Sequence, residues 1–228
     1  MNAALWQELR GKIALALLVR YASFAAMCAL ALFNETPRGP TLRDPLLEAL
    51  PYLPWVDRIN WVLWLCLYLP LGLAFFWTDT RRWIHYMYTG ALVSLARGVC
   101  ILATQLGPPN PEHVGPGIGD KSFVQAWLEL ISPLHVFVDS SQAAYLTQDL
   151  FFSGHAATSF LLWLYLRERR VLGRIALLAH MLITSSVLFA HLHYTIDILG
   201  AWAVTYSLFA LRARHMPRIA HARHERVG

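Results

Sequence analysis

Six apolar runs, each near 20 residues long, constrain this chain more than any other feature. They cover residues 11–33, 59–77, 83–104, 149–166, 171–190 and 196–211. None alternates apolar with polar residues, so none reads as a half-buried strand. A bilayer core is about 30 Å thick, and about 20 apolar helical residues cross it. Inside lipid every backbone N–H and C=O must be bonded internally, so only helices and closed barrels span. The pattern selects helices. Composition agrees: of 228 residues, 57% are hydrophobic and 14% charged, against about 25% charged in a typical soluble domain. The expected fold is all-α, a polytopic transmembrane helical bundle of six spans in one membrane domain covering 1–228. Residues 1–80 would hold the first two spans and their loop, 81–211 the region suited to catalysis, and 212–228 a basic tail.

Arg20 interrupts the first run, so an uncleaved span is expected there rather than a signal peptide. Residues 122–138 are also apolar, but Glu129 and Pro133 break them. They read as an interfacial or re-entrant segment in a long loop, whose start is marked by Pro108, Pro109, Pro111 and Pro116. Cys28, Cys66 and Cys100 sit in apolar runs without a CxxC pair, which argues against a disulfide framework or zinc site.

The net charge of +5 would suggest nucleic acid in a soluble protein. Here its placement is topological instead. With the N-terminus inside, thirteen of the nineteen basic residues fall on inner loops and the tail, from Arg10 to Arg226. Only Arg38, Arg43, Arg58 and Lys121 fall outside, and Arg20 and Arg97 lie within spans. The positive-inside rule then puts both termini in the cytoplasm. Arg167, Arg169 and Arg170 read as a basic face against anionic inner lipid heads. No nucleic-acid partner is expected, and oligomeric state is not readable. Trp55, Trp61, Trp64 and Trp77 fit interfacial belts.

Two motifs carry chemistry. Asp149-Leu150-Phe151-Phe152-Ser153-Gly154-His155 opens the fourth span, and His191-Leu192-His193-Tyr194-Thr195-Ile196-Asp197 turns between the fifth and sixth. The topology puts both at the outer end. The fourth and sixth spans run in the same direction, so their N-termini face outward together. Helix N-termini have unpaired N–H groups and the positive dipole end, and they attract anions. Gly154 would let a phosphate approach the backbone. His193 and Asp197 are four apart and share a face if the sixth helix begins early enough. Asp197 would then orient the His193 ring. Arg97 lies about 14 residues, or ~21 Å, into a ~30 Å core. An arginine there is costly and calls for an anionic partner. Asp149 is suited to cap the fourth helix or to serve the site. Arg20 is expected to bond within the bundle.

These residues resemble the sphingomyelin synthase family, within the type-2 phosphatidic acid phosphatase superfamily. That family carries Cys-Gly-Asp-x-x-x-Ser-Gly-His and, later, His-Tyr-Thr/Ser-x-Asp. Asp149, Ser153, Gly154 and His155 match the first, and His193, Tyr194, Thr195 and Asp197 the second. Thr147-Gln148 stands in place of Cys-Gly, and Leu192 where animal members often have an acid. Phosphatases of the superfamily carry Arg six residues before the second histidine. Here that residue is Val187, which favours the synthase branch.

The resemblance implies a lipid phosphotransferase that moves a phospho-head group from a membrane phospholipid donor to a lipid alcohol such as ceramide. It implies a phosphohistidine on His193, oriented by Asp197, with His155 as acid–base catalyst. Arg97, Ser153, Gly154 and Asp149 would bind substrate. It implies no cofactor and no metal. The alternative is a lipid phosphatase or phospholipase C-like hydrolase using the same residues, with water as acceptor. A different class is a haem-binding membrane subunit, for which His85 and His180 are the residues of the right type. The expected location is multi-pass in a membrane, the cytoplasmic one if bacterial, with the active site facing outside.

Overall fold

A computed structural model describes residues 3–35, 39–110, 113, 118, 120–132 and 146–217, residues 3–5 by their backbone alone. Arg38, Pro111, Pro116, Pro133, most of the basic tail beyond Pro217 and the end of the 122–138 segment lie outside the described residues. The described residues form eight helices and no strand. They are α1 (Ala3–Phe33), α2 (Pro45–Ala49), α3 (Pro54–Thr78), α4 (Thr80–Thr104), α5 (Phe123–Ile131), α6 (Gly154–Leu166), α7 (Arg170–Phe189) and α8 (Thr195–Ala213).

Five of them, α1, α3, α4, α7 and α8, are long and apolar enough to cross a membrane. Their outward faces carry Leu18, Val99, Leu178, Leu199 and Leu211, all exposed. Such faces would be unfavourable in water, where burial of each Leu or Val is worth about 1.5–3 kcal/mol, and are at home in lipid.

The run expected to be the fourth span differs. Its helix, α6, begins at Gly154 rather than near Asp149 and has 13 residues, about 20 Å. The preceding residues 147–153 are irregular. Yet α6 is the axis of the bundle, packed against α3, α4, α7 and α8. Ala156, Ala157, Leu161, Leu162, Leu164, Tyr165 and Leu166 are all buried. A helix that meets protein on every side need not be long to sit at membrane depth, because its neighbours shield its ends. Around it Phe75, Tyr86, Phe152, Tyr165, Val187 and Phe209 build the main core.

α1 lies against α4 and α5. Arg20 donates to Ser94 Oγ at 2.6 Å, within the bundle. α5 starts with a capping box, Ser122 and Gln125 bonding each other's backbone N–H. It rests on α1 through Trp127, whose indole N–H donates to the Ala25 carbonyl.

Candidate active site

Two helix beginnings meet at one end of the bundle. The N–H of Ser153, the N-cap of α6, donates to the main-chain carbonyl of Asp197 in the first turn of α8 at 3.1 Å. The two motifs are thus joined backbone to backbone. Gly200, one turn further along α8, makes room for the Phe151 ring: a Cβ there would lie 2.7 Å from it.

Asp197 has 0% exposure and His193 6%. α8 begins at Thr195, so His193 precedes the helix, and Asp197 reaches back over the helix start to meet it. Asp197 Oδ2 accepts the Tyr194 N–H at 2.9 Å and lies 3.2 Å from His193 Nδ1. A carboxylate can only accept, so Nδ1 carries the proton and Nε2 holds the lone pair. Among the described residues nothing bonds Nε2. This is the tautomer a nucleophilic imidazole needs. His155 stands on the first turn of α6, within electrostatic reach of His193 and Arg97. Its ring meets the edge of Trp64 at 5.8 Å, and its nitrogens carry no bond among the described residues.

Arg97 is 7% exposed and binds the segment that leads into α6. Its Nε donates to the Phe152 carbonyl at 2.7 Å, and Nη2 to the Asp149 carbonyl and to Asp149 Oδ2 at 2.8 Å. Nη1 rests 2.9 Å from Met27 Sδ. Asp149 therefore pairs with Arg97 and does not cap α6; that role falls to Ser153, whose Oγ accepts the Ala156 N–H. Gly154 packs directly on the guanidinium, where a Cβ would stand 3.3 Å from Nε. Among the described residues the N–H groups of Gly154 and His155 have no partner at the start of α6, as an anion site requires.

The start of α8 is different. Its Thr195 N–H and hydroxyl both donate to Asp44, at 2.6 and 3.0 Å. The protein fills that anion position itself, so only one of the two helix ends expected to face an anion is open. Burial pushes the Asp44 carboxyl up, but the bonds from Thr195, Leu47 and Leu46 outweigh it and hold its pKa below the ordinary value. Tyr194 adds a second tie. Its hydroxyl donates to the Gly107 carbonyl at 3.0 Å and accepts the Leu42 N–H at 3.1 Å. The segments around 39–44 and 105–107 are thereby held against the start of α8.

Glu35 was not singled out from sequence, nor were Asp44 and Trp64 as site neighbours. Glu35 accepts the N–H groups of Thr147 and Gln148 at 2.6 and 2.8 Å and the Thr147 hydroxyl at 3.0 Å. It is the seat for the Thr147-Gln148 pair. Burial, assisted by the Asp149 charge, pushes its carboxyl above the usual range despite those bonds. No spacing rule exposes such residues, since each acts alone from a distant part of the chain. Trp64 is not simply an interfacial residue: besides touching His155, its indole N–H donates to Thr158 Oγ1.

His85 and His180 do not form a haem pair. His180 Nε2 accepts the Trp202 N–H at 2.9 Å, and Nδ1 meets Ser159 Oγ at 2.8 Å. Both ring nitrogens are spent.

Residues 147–214 match the family model described as PAP2 superfamily C-terminal. The match supports a place in that superfamily. It spans α6 to α8 and includes Asp149, Ser153, His155, His193 and Asp197, while Arg97 lies outside it. PAP2 proteins suggest an enzyme acting on phosphate esters, of the lipid phosphatase or phosphotransferase type. No curated protein matches the chain.

Proposed function

We propose that the protein is a lipid phosphotransferase of the sphingomyelin synthase type, acting through a phosphohistidine at the outer membrane face. The observation that carries this reading is the Ser153–Asp197 backbone bond. It brings an imidazole with a free Nε2 beside a second imidazole and an open helix N-terminus.

His193 Nε2 attacks the phosphorus of a glycerophospholipid. The bond from phosphorus to the diacylglycerol oxygen breaks, and protonated His155 gives that oxygen its proton. The head-group phosphate is left on His193, with Asp197 supporting the imidazolium. The Gly154 and His155 N–H groups stabilise the phosphoryl oxygens. The acceptor hydroxyl then attacks, His155 takes its proton, and the phosphorus–nitrogen bond breaks. Arg97, with Asp149 and the Phe152 carbonyl, holds this N-terminus in place.

Two features favour a lipid alcohol over water as acceptor. Val187 is fully buried where a phosphatase arginine would stand. Tyr194 and Asp44 tie two loop segments against the start of α8, which limits water. In this reading α6 is the fourth of six spans, its irregular approach from residue 147 lying within protein. Both termini are cytoplasmic, following the basic residues.

The test is reconstitution in liposomes holding head-group-labelled phosphatidylcholine and phosphatidylethanolamine, with and without ceramide. Label is expected on ceramide, and not with His193→Ala. Label released to water whether or not ceramide is present would make the protein a hydrolase.

A further inference from the structure

A second polar centre lies at the opposite end of the bundle, where α4 begins and α6 and α8 end. Arg82 is 1% exposed. One terminal nitrogen donates to Glu168 at 3.2 Å, the other rests 3.5 Å from Met216 Sδ, and Nε is buried with no partner among the described residues. Glu168 itself is half exposed. Among the described residues Arg212 uses only its Nε, which donates to Thr89 Oγ1 at 3.0 Å. His85 bonds Tyr165 through Nδ1 and feels the charges of Arg82, Arg212 and His215. Tyr165 feels both guanidinium groups.

α8 thus meets α4 at two guanidinium groups, Arg82 against Met216 and Arg212 on Thr89 of the buried His-Tyr-Thr cluster. The half-exposed Glu168 pairs with the Arg82 side chain, and Asp79 bonds the Arg82 N–H and Arg169. A buried charge is stable only when paired and fully bonded. Arg82 is paired with Glu168 but not fully bonded, because a thioether is a weak acceptor and, among the described residues, its Nε has none. Guanidinium forks match phosphate oxygens better than any other side chain. Just beyond Arg212 the chain adds Arg214 and His215.

We infer that Arg82 and Arg212 form a second phosphate-binding site, separate from the His155–His193 centre, with Met216 giving way as the anion enters. The ligand is a phosphate group, borne either by an anionic lipid head such as phosphatidic acid or by a free ion. With the proposed orientation it is reached from the cytoplasmic side.

The full chain is reconstituted in phosphatidylcholine vesicles, and the thermal unfolding midpoint is followed in two arms. One titrates inorganic phosphate; the other replaces part of the lipid with phosphatidic acid. A rise of about 2–4 °C is expected in at least one arm. Arg212→Gln loses that rise, and His193→Ala keeps it. A rise with inorganic phosphate identifies a free anion, and one only with phosphatidic acid a lipid head. If Arg212→Gln does not fold, Arg212→Lys serves: it keeps the charge but loses the fork, so the same rise needs about tenfold more ligand. No rise in either arm, or a rise that Arg212→Gln or Arg212→Lys leaves unchanged, overturns the site. Because the readout is binding, its failure leaves the transferase assay unaffected.

Discussion

The smallest unit of the proposed chemistry is one hydrogen bond, from His193 Nδ1 to Asp197 Oδ2. Asp197→Asn keeps the volume and the acceptor oxygen. It removes the charge that supports the imidazolium, and it lets the amide present a donor to Nδ1, which favours the wrong tautomer. The expected loss in kcat is about 10³–10⁴-fold, as in triads where the same exchange leaves the geometry intact. Asp197 also caps α8 through the Tyr194 N–H, so a stability cost of about 1 kcal/mol comes with it. The two effects separate in measurement. A thermal midpoint near wild type with turnover down a thousandfold supports the orienting role. Turnover that falls only in proportion to folded protein would assign Asp197 to structure alone. His155→Ala should behave differently, because its base is needed again in the second step. Phosphohistidine formed slowly in that variant is expected to persist and to be trapped on His193 by acid-free digestion and mass measurement.

At the scale of elements, the site depends on how two helix starts are held, and each is held by a charged residue from elsewhere. Arg97 on α4 bridges three acceptors ahead of α6. Arg97→Lys offers one compact ammonium in place of a planar fork and cannot reach all three. It is expected to cost roughly 2–3 kcal/mol, less than the 3–5 of a fully enclosed pair, since Asp149 is partly open to solvent. Asp44 holds the start of α8 from the loop after α1. Its folded pKa lies below the unfolded value of about 3.9. Its contribution is therefore present above that value and lost as pH falls through the folded one. Asp44→Ala should lower the thermal midpoint at neutral pH, where two helix caps are lost at about 1 kcal/mol each. Wild type and variant should converge below about pH 3.9. A gap that stays constant to low pH would show that the Asp44 charge is irrelevant. The sequence showed His155, His193 and Asp197 because each belongs to a short motif with a fixed chemical spacing. It showed the five long helices because 20 apolar residues have one economical use. Asp44, Glu35 and the true start of α6 were hidden for one reason. Each depends on a contact more than 100 residues distant along the chain, or on burial that lets a helix stop short, and neither leaves a local pattern. A cap stood as one of two readings of Asp149 because caps are local; its pairing with Arg97 is not.

For the molecule as a whole, the two ends are chemically unlike. One gathers His155, His193 and the tied loops; the other gathers Arg82, Arg212 and the exposed arginines that flank α6 and α7. A phosphoryl-transfer site that draws donor and acceptor from one leaflet has to face that leaflet, so the sidedness of the bundle decides which lipids it can use. The distribution of basic residues predicts that the histidine end lies outside. Arg43 is exposed at that end and Arg174 at the other. In a background with Cys28, Cys66 and Cys100 replaced by serine or alanine, Arg43→Cys is expected to react with a membrane-impermeant maleimide on intact cells. Arg174→Cys is expected to react only after the membrane is permeabilised. The reverse pattern would invert the bundle and put His155 and His193 against the cytoplasmic leaflet. The same reagent reaching both positions on intact cells would mean that one of these helix ends does not lie on the side its neighbours dictate, and α6, the shortest of the six proposed spans, would then be the segment that fails to carry the chain across.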